Sequence, residues 1–439
     1  MINVAKFVKS LNGKPVAVFG LGISNLAAIE ALIAAGAKIT AWDDSAARCE
    51  AAAALGADIA DLNTVDMARF ACLVLAPGVP LTHNPHVIVQ KAKDAGLEIL
   101  CDIEILHRCC HGIQTIGITG TNGKSTTTAL IGHILNECGV SAAVGGNIGT
   151  PALALDLPRG DQNAIVLELS SYQLDLCPTF APDIAVLLNL SPDHIDRHGD
   201  MDGYIMAKKR IFRGAGEAVI GKDDEASAKL LTAIGGARNK HQISATDEAV
   251  QNLDIPTLRG THNHQNMAAA YKVARLMGLA HDDIIKAMQS FGGLAHRQFL
   301  VRVIGNVSFV NDSKATNADA SSKALGSFDH IHWIIGGRAK DGGLKGLEHY
   351  KDRIECAYII GEAADEFAAW CRDNDVAYEM CGTMDKAVAK AYENTKAEMD
   401  KDITVLLSPA CASFDQYQGF EARGDDFTAH VMALEGDAA

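Results

Sequence analysis

The stretch Gly117–Thr126 reads Gly-Ile-Thr-Gly-Thr-Asn-Gly-Lys-Ser-Thr and decides the predicted fold. It follows the apolar run Thr115–Thr119 and leads into the helical pattern Ser125–Cys138. A glycine turn between a strand and a helix points backbone N–H groups at an anion, so this stretch predicts a phosphate-binding loop. Lys124 adds a charge for the outer phosphates, and the Ser125 hydroxyl can reach Mg²⁺.

Composition narrows the classes of function. The chain has 439 residues, enough for about two to four domains, and a formal net charge of −15. An acidic chain repels nucleic acid and anionic membranes, so neither is an expected partner. We find no run of about 18 uncharged apolar residues, which argues against a spanning helix. Eleven cysteines without paired spacing, and no signal peptide, predict reduced thiols in the cytoplasm.

Short β-rich runs alternate with helical patterns along the whole chain. This alternation is typical of the α/β class, in which helices cover both faces of parallel sheets. We predict three domains: a Rossmann-like N-terminal domain at residues 1–97, a P-loop-type central parallel sheet at 98–293, and a Rossmann-like C-terminal domain at 294–439.

The first domain contains a glycine turn, Gly20-Leu21-Gly22, after the strand Val16–Phe19. Asp43 and Asp44 follow about 20 positions later, where a Rossmann-type half holds a ribose. Asn25 replaces the third glycine of G-x-G-x-x-G, which a dinucleotide site requires and a uridine diphosphate site does not. For this segment alone, a nicotinamide-dependent dehydrogenase and a turn without a ligand remain alternatives.

A carboxylate in the second domain is predicted to lie beside the phosphate loop. Glu168 stands near the end of the buried run Ala164–Ser171, at the sheet edge where open α/β folds bind ligands. A carboxylate inside an apolar strand is costly unless it is paired. Mg²⁺ beside ATP is the natural partner, and a Lys or Arg is the alternative.

Three further clusters follow in the same domain. The run Asp193-His194-Ile195-Asp196 leaves the next buried strand and predicts a second metal or substrate point, with a loop histidine as the alternative. Tyr204–Arg210 is a basic helical stretch that contains Lys208, and a solvated cationic face is its alternative. Asn263 and Asn266 open the predicted helix Met267–Met277, either as caps or facing one ligand such as an adenine.

Polar clusters follow three predicted strands of the third domain. The clusters are Asp312–Asn317 after Val307–Asn311, Gly336–Lys340 after His332–Ile335, and Ser408–Tyr417 after Ile403–Leu407. Because parallel strands deliver their ends to one edge of a sheet, Lys, Arg, Thr and Ser side chains there suit a small anionic substrate. A helix cap or a turn is the alternative for any one of these clusters.

Seven motifs follow one another along nearly the whole chain. They are Thr119–Thr126, Glu168, Asp193-His194-x-Asp196, Tyr204-x-x-x-Lys208, Gly260-x-His262-Asn263-x-x-Asn266, His296-Arg297 and Asp312-Ser-Lys314-x-Thr316-Asn317. Together they resemble the Mur ligase family, the ATP-dependent amide-bond-forming enzymes of peptidoglycan assembly. The runs Gly145–Gly149 and Ser408–Ser413 are similar to the branch that adds D-glutamate to UDP-N-acetylmuramoyl-L-alanine (UDP-MurNAc-L-Ala).

Alternatives within and outside the family stay open. The sibling that adds diaminopimelate or lysine is disfavoured, because its Asp-Asn-Pro-Arg motif is not found in this sequence. A sibling adding another amino acid and folylpolyglutamate synthetase, which shares the loop and the central domain, remain. A non-catalytic sensor of nucleotide or UDP-sugar is disfavoured, since the residues expected in catalysis and metal binding are intact: Lys124, Glu168, His194 and Lys208.

The resemblance implies a mechanism and its cofactors. ATP would convert the substrate carboxylate into an acyl phosphate, which the amine of D-glutamate attacks. Two Mg²⁺ ions are expected, one on Ser125 and Glu168 and one on His194, with Lys208 carbamylated by CO₂ so that it offers a carboxylate to the metal. The catalytic residues would be Lys124, His194 and Lys208. A cytoplasmic monomer is expected.

The resemblance also assigns residues to each substrate. ATP is expected on Gly120, Thr121, Asn122, Gly123, Lys124, Ser125, Thr126, Asn266, Arg297 and Asp312. Uridine diphosphate is expected on Ile23, Ser24, Asp43, Asp44 and Gly78. The muramoyl end is expected on Asn147, Ser170 and Gln173. D-Glutamate is expected on Thr316, Lys340, Ser413, Phe414 and Phe420.

Overall fold

The computed structural model describes residues 2–158, 160, 162–214, 216–234, 239–258, 260–340, 342–396 and 401–435. The chain forms two compact units, Met1–Leu253 with Thr261–Ser290 and Asp254–Gly260 with Phe291–Ala439. The first unit carries two parallel sheets, and the second unit carries one sheet that is parallel except at one edge. Strands and helices alternate along most of the chain, with the adjacent strands at residues 299–304 and 307–311 as an exception, which confirms the predicted α/β class.

The first sheet has five parallel strands in the order β3-β2-β1-β4-β5. The strands are β1 (Val16–Phe19), β2 (Ile39–Trp42), β3 (Asp58–Ile59), β4 (Cys72–Leu75) and β5 (Glu98–Leu100). The helices are α1 (Ala5–Ser10), α2 (Ile23–Ala34), α3 (Ala46–Ala54), α4 (Val87–Asp94) and α5 (Asp102–Cys109). The sheet thus takes in β5, which lies beyond the predicted end of the first domain at residue 97.

The strand order of the first sheet reverses between β1 and β4. The loops after these strands lie side by side, since a Cβ built on Gly20 would stand 2.7 Å from Ala76 Cβ. Gly20 has a φ of 79°, a left-handed value that glycine adopts without strain. Open α/β sheets bind ligands at such a reversal, outside the carboxyl ends of the strands.

The second sheet has six parallel strands in the order β11-β10-β9-β6-β8-β7. The strands are β6 (Gln114–Thr119), β7 (Ser141–Gly146), β8 (Asn163–Glu168), β9 (Ile184–Leu187), β10 (Glu217–Gly221) and β11 (Lys240–Ile243). The helices are α6 (Lys124–Glu137), α7 (Ser171–Asp175), α8 (Ile195–His198), α9 (Met201–Lys209), α10 (Glu225–Ala233), α11 (Thr261–Leu276) and α12 (His281–Gln289). Ile118 lies opposite Glu168 in the register of β6 and β8, which puts this carboxylate beside the phosphate loop.

The third sheet has six strands in the order β12-β13-β17-β14-β15-β16, and β12 pairs antiparallel with β13. The strands are β12 (Phe299–Ile304), β13 (Val307–Asn311), β14 (Ile331–Gly336), β15 (Ile354–Ile360), β16 (Tyr378–Gly382) and β17 (Ile403–Leu407). The helices are α13 (Ala318–Leu325), α14 (Ala364–Asp373), α15 (Met384–Thr395) and α16 (Phe420–Met432). The ends of β13, β14 and β17 meet at one edge, as predicted for parallel strands.

Apolar packing explains the two units. In the first unit one core cluster includes Val18 of the first sheet and Ile165 of the second. In the second unit the sheet has a core on each face, with Trp333 on one face and Ile334 on the other. Successive side chains of a strand point to opposite faces, so a run that is buried at every position is covered by helices on both sides.

One helix begins earlier than predicted. The polar run before Met267 was expected to open a helix at that residue, but α11 begins at Thr261. Asn263 and Asn266 therefore lie inside the helix, where both are buried and Asn266 Nδ2 donates to Asn263 Oδ1 at 2.9 Å. Tertiary packing of these amides overrides the weak helix propensity of asparagine.

Candidate active site

The phosphate loop lies between β6 and α6 and depends on its glycines. Gly123 precedes α6 with a φ of 81°, and Gly120 has a φ of 155°. Residues that carry a side chain rarely adopt these positive φ values. A Cβ on Gly123 would also overlap Asn266 Oδ1 of α11. Because Gly123 is the cap residue of α6 and has no side chain, no cap side chain accepts from the first N–H groups of the helix. Such N–H groups are the donors that an anion site at a helix N-terminus uses.

The end of the neighbouring strand supports the loop. Thr121 N donates to Asn189 O at 2.9 Å, and Asn122 N donates to Asn189 Oδ1 at 2.8 Å. The Lys124 ammonium donates to Gly120 O at 3.0 Å and to Thr121 O at 2.7 Å. The structure therefore brings the predicted loop residues together. It adds Asn189, which the sequence does not single out because a polar residue after a strand has no distinctive signal.

The surroundings of Glu168 fit a divalent cation. Its side chain is 3% exposed, and Oε1 accepts from Asn147 Nδ2 at 2.8 Å. Oε2 is buried and has no hydrogen-bond partner in the part of the chain that the structure describes. A buried carboxylate oxygen without a donor is costly, and Mg²⁺ is an ion that takes such an oxygen as a ligand.

The side chain of Glu168 does not belong to a larger cluster of metal-binding side chains among the described residues. Within the described ranges, no three His, Cys, Asp or Glu side chains form a group that could hold a metal ion. Ser125, the predicted hydroxyl ligand, is 4% exposed in the first turn of α6. Mg²⁺ commonly keeps one or two protein ligands and completes its shell with phosphates and waters, so Ser125 with Glu168 suits it.

Lys208 is buried beneath the phosphate loop. Its Nζ donates to Gly120 O at 2.8 Å and to Thr119 Oγ1 at 3.3 Å, and it lies 4.8 Å from the centroid of the Tyr204 ring. The side chain is 1% exposed, so the alternative of a solvated cationic face is wrong for this residue. Burial lowers the pKa of Lys208 well below its usual value, and the nearby Lys124 lowers it further.

His194, which precedes α8, and His198, which ends it, stand in different surroundings. His194 is half exposed, has a φ of 53°, and places Nε2 at 3.4 Å from Asp193 Oδ2. Its ring packs against Tyr172 with centroids 4.9 Å apart. His198 is buried, with Nε2 at 2.9 Å from Ser171 Oγ, and burial lowers its pKa to about 4. His194 is thus the accessible histidine of the pair.

The predicted uridine diphosphate residues gather at the reversal of the first sheet. Asp43 Oδ2 accepts from Leu21 N at 2.6 Å, and Oδ1 accepts from Ser45 N at 2.9 Å. Burial acts to raise the pKa of Asp43, but these two hydrogen bonds hold it below the usual value. Ile23 is 76% exposed at the start of α2. Three further predicted residues lie at the same edge: Ser24 in α2, Asp44 after β2, and Gly78 after β4.

Two predicted muramoyl residues form a capping box. Ser170 Oγ accepts from Gln173 N at 3.2 Å, and Gln173 Oε1 accepts from Ser170 N at 3.0 Å. Gln173 is 2% exposed. This box begins α7 directly after β8, so both residues have a structural role next to Glu168 whether or not they contact a ligand.

In the second unit, the predicted nucleotide residue Asp312 is buried after β13. Oδ2 accepts from Ser408 Oγ at 2.9 Å, and Oδ1 accepts from Gln298 N at 3.2 Å. Burial raises the pKa of Asp312 to about 7, while Arg297 acts in the opposite direction. The predicted nucleotide residues Arg297 and Asp312 are therefore close enough to interact, and Ser408 orients the carboxyl group.

The predicted D-glutamate residues share the edge formed by β13, β14 and β17. Lys340 is exposed after β14, and Ser413 is buried after β17. Phe414 is 66% exposed and is therefore not a core aromatic. Phe420 begins α16, and Lys314 Nζ lies 3.7 Å from the centroid of its ring. A fifth predicted residue, Thr316, follows β13 and is partly buried.

Arg423 joins two loops at this edge of the sheet, and the sequence did not indicate this role. It is 1% exposed. Its Nη2 donates to Ser313 O at 2.8 Å and to Cys411 O at 3.0 Å, and its Nε donates to Ser313 Oγ at 3.0 Å. These bonds join the loops after β13 and β17. An arginine within a polar helix has no sequence signal that separates it from a surface residue.

Comparisons with known proteins agree with the motifs. A model of the Mur ligase middle domain matches residues 118–274. UDP-N-acetylmuramoylalanine–D-glutamate ligase of Agrobacterium fabrum is 48% identical, over 98% of this chain and 97% of the relative. The ligase of the same name from Caulobacter vibrioides is 47% identical, over 97% of each chain. This chain belongs to the Mur ligase family.

Solved Mur ligases share the fold. UDP-N-acetylmuramate-alanine ligase of Thermotoga maritima aligns with a TM-score of 0.60 and 16% identity, over 96% of this chain and 100% of that one. A D-alanyl-D-alanyl-adding ligase of Acinetobacter baumannii aligns with a TM-score of 0.56 and 17% identity, over 76% and 78%. Among the described residues, no helix has the length and apolar character needed to cross a membrane.

Proposed function

We propose that this chain is an ATP-dependent ligase that adds D-glutamate to UDP-MurNAc-L-Ala in peptidoglycan precursor synthesis. The observation that carries the proposal is the match, over nearly the entire length, to relatives named UDP-N-acetylmuramoylalanine–D-glutamate ligase. The described geometry supplies the chemistry such a ligase needs: a phosphate loop, a buried carboxylate with a free oxygen, and a buried lysine beneath the loop.

The reaction must activate a carboxylate that would not form an amide in water by itself. The L-alanyl carboxylate attacks the γ-phosphorus of ATP, which releases ADP and leaves an acyl phosphate. The amine of D-glutamate attacks the acyl carbon, phosphate leaves, and a proton is released. Because anions must approach one another, catalysis is mostly positioning and charge neutralisation. Lys124 and the N–H groups of the loop supply positive charge at the phosphates.

Ser125 and Glu168 would hold one Mg²⁺ and His194 a second. Mg²⁺ supplies charge neutralisation among the phosphate oxygens when it is bound. The orphaned Oε2 of Glu168 supports the first site. His194 supports the second site because it is accessible at the start of α8, whereas His198 is buried.

Lys208 is the proposed carbamate. A neutral amine adds CO₂, and burial beneath the loop lowers the pKa of Lys208 toward the neutral form. The carbamate would carry a negative charge, which suits a nearby metal, whereas an ammonium would repel it. Lys208→Ala should lose activity and regain part of it with added formate or acetate, and intact-mass spectrometry should detect the added 44 Da (about the mass of CO₂) on the wild type. A fully active alanine variant would dismiss this assignment.

The substrate assignments follow the sites described above. ATP is assigned to Asn266, Arg297 and Asp312 in addition to the loop, which runs from Gly120 to Thr126. The UDP-sugar is assigned to Ile23, Ser24, Asp43, Asp44, Gly78, Asn147, Ser170 and Gln173. D-Glutamate is assigned to Thr316, Lys340, Ser413, Phe414 and Phe420, with Lys340 as the counter-charge of a carboxylate.

The proposal also covers the form of the protein in the cell. Three sheets support the proposed three domains, at residues 1–97, 98–293 and 294–439, although β5 at residues 98–100 belongs to the first sheet. Eleven free thiols and the use of ATP support a cytoplasmic location. We propose a monomer, which light scattering during gel filtration would test.

A substrate panel tests the function. ADP formation is measured with UDP-MurNAc-L-Ala and, in turn, D-glutamate, L-glutamate, meso-diaminopimelate and L-lysine. We expect ADP only with D-glutamate, and Lys124→Ala should abolish it. ADP formation with another amino acid would identify a different member of the family, and ADP formation with a folate substrate would support folylpolyglutamate synthetase.

A further inference from the structure

An arginine near the second sheet reaches the loop after β4, at the strand-order reversal of the first sheet. Arg197 lies on α8 and is 7% exposed. Its Nη2 donates to Pro77 O at 3.1 Å and also to Val79 O. These two carbonyls flank Gly78, which follows β4. The guanidinium is therefore held against the loop that closes one side of the sheet reversal.

The remaining donors of Arg197 are buried, and no described residue accepts from them. Nε and Nη1 have no hydrogen-bond partner among the residues that the structure describes. The Cζ atom of Arg197 lies over the Tyr172 ring, 5.0 Å from its centroid, and this cation–π contact provides no hydrogen-bond acceptor in the guanidinium plane. Arginine stays protonated, so these buried N–H groups cost free energy until an anion accepts from them.

The surroundings indicate which anion this would be. The loops after β1 and β4 meet at the reversal, as the approach of Gly20 to Ala76 shows. Helix α2 begins there, and its cap residue Gly22 has no side chain to accept from the first N–H groups. A helix N-terminus and the paired N–H donors of a buried arginine both favour a phosphate group. Nucleotides also bind at reversals of this kind in open α/β sheets.

We propose that Arg197 binds the diphosphate of the UDP-sugar substrate, with Nε and Nη1 as the donors. This inference rests on the proposed function, because the diphosphate belongs to the substrate of that reaction. Nη2 would keep its bonds to Pro77 and Val79, so the same side chain would also hold the Gly78 loop around the bound diphosphate. Arg197 lies on α8, three residues after His194, so the proposed diphosphate contact and the proposed metal ligand belong to one short segment of the chain.

Equilibrium binding tests the inference without relying on turnover. The affinities of UDP and of UDP-MurNAc-L-Ala for the full chain are measured by calorimetry for wild type, Arg197→Met and Arg197→Lys. Loss of a charge-assisted pair of hydrogen bonds should weaken both ligands roughly tenfold to hundredfold in Arg197→Met. Arg197→Lys keeps the charge but not the fork, so it should recover only part of the affinity.

Steady-state kinetics separate binding from a merely structural role. In Arg197→Met we expect a higher KM for UDP-MurNAc-L-Ala, with the KM for ATP within about twofold of wild type. Arg213→Met is the matched control, because Arg213 also donates to two backbone carbonyls, Cys177 O and Pro178 O, but is exposed. It should bind both UDP ligands like wild type.

Each outcome decides the matter. Wild-type affinity for UDP in Arg197→Met would overturn the inference, as would an equal loss of ATP and UDP affinity. If Arg197→Met does not fold, Arg197→Lys decides, and wild-type UDP affinity in that variant would overturn the inference. A wild-type chain that binds UDP but forms no ADP with D-glutamate would refute the proposed function while leaving the arginine site standing.

Discussion

The buried carboxylate of Glu168 offers the sharpest test of the magnesium proposal. Glu168→Gln keeps the shape of the side chain and an oxygen for the bond from Asn147 Nδ2, but removes the charge. Oε2 is buried and accepts no hydrogen bond from any residue that the structure describes. Leaving a buried polar group unsatisfied costs about 1–3 kcal/mol, and more for a charged group, whereas a buried amide costs less. In the presence of a chelator, we therefore expect the variant to be as stable as wild type or up to about 2 kcal/mol more stable.

With Mg²⁺ and ATP the same change should be costly. Removing a metal ligand at the phosphates should forfeit about 3 kcal/mol of charge stabilisation, which is roughly a hundredfold loss in rate. The Mg²⁺ concentration for half-maximal ADP formation should also rise. Urea unfolding in chelator and ADP formation across a Mg²⁺ titration measure the two effects on one preparation.

Glu225→Gln is the matched control for the Glu168 experiment. Glu225 is 82% exposed on its side chain and pairs with Lys229 at 2.6 Å on the surface of α10. Its variant should show the Mg²⁺ dependence of wild type. The reasoning is refuted if Glu168→Gln keeps the wild-type Mg²⁺ dependence. It is also refuted if the variant loses several kcal/mol of stability in chelator, because the carboxylate would then serve the fold and not a metal.

Three further predictions use stability and ATP binding. Gly123→Ala should lower the free energy of unfolding by about 1–2 kcal/mol, because alanine is strained at a left-handed φ, and it should weaken ATP binding by displacing Asn266. Gly139→Ala is the control: Gly139 has a φ of 83° but open space around it, so this variant should lose stability and keep the wild-type affinity for ATP. Asp312 has a raised pKa of about 7, so the native state binds more protons than the unfolded state between pH 3.8 and 7. The free energy of unfolding of the wild type should therefore fall by on the order of 4 kcal/mol as pH rises through this window, and that of Asp312→Asn should not. His198 has a pKa lowered from 6.5 to about 4, so the unfolded state binds more protons than the native state in that range. The free energy of unfolding of the wild type should fall by on the order of 3 kcal/mol as pH falls through the range, and that of His198→Gln should not. Urea unfolding across pH checks both, and parallel pH profiles of wild type and variant would contradict them.

Local patterns in the sequence predicted most of the architecture. The strands Val16–Phe19, Val307–Asn311 and Ile403–Leu407 have the predicted bounds, and helix α6 begins within one residue of the predicted position. Apolar runs, glycine turns and helical periodicity act over a few residues, so they can be read without knowing the fold. The start of α11 could not be read in this way, because buried contacts decide it.

In the candidate active site, too, some features follow from local sequence and others depend on tertiary contacts. The sequence alone determined the phosphate loop, since its glycines, Lys124 and Ser125 are consecutive and the backbone shapes them locally. Only the tertiary structure decided which partners reach that loop. It put Asn266 against Gly123, left Oε2 of Glu168 without a donor among the described residues, and buried the amine of Lys208. These outcomes join residues far apart in the chain, and their energies depend on burial and distance, which no local pattern of residues specifies.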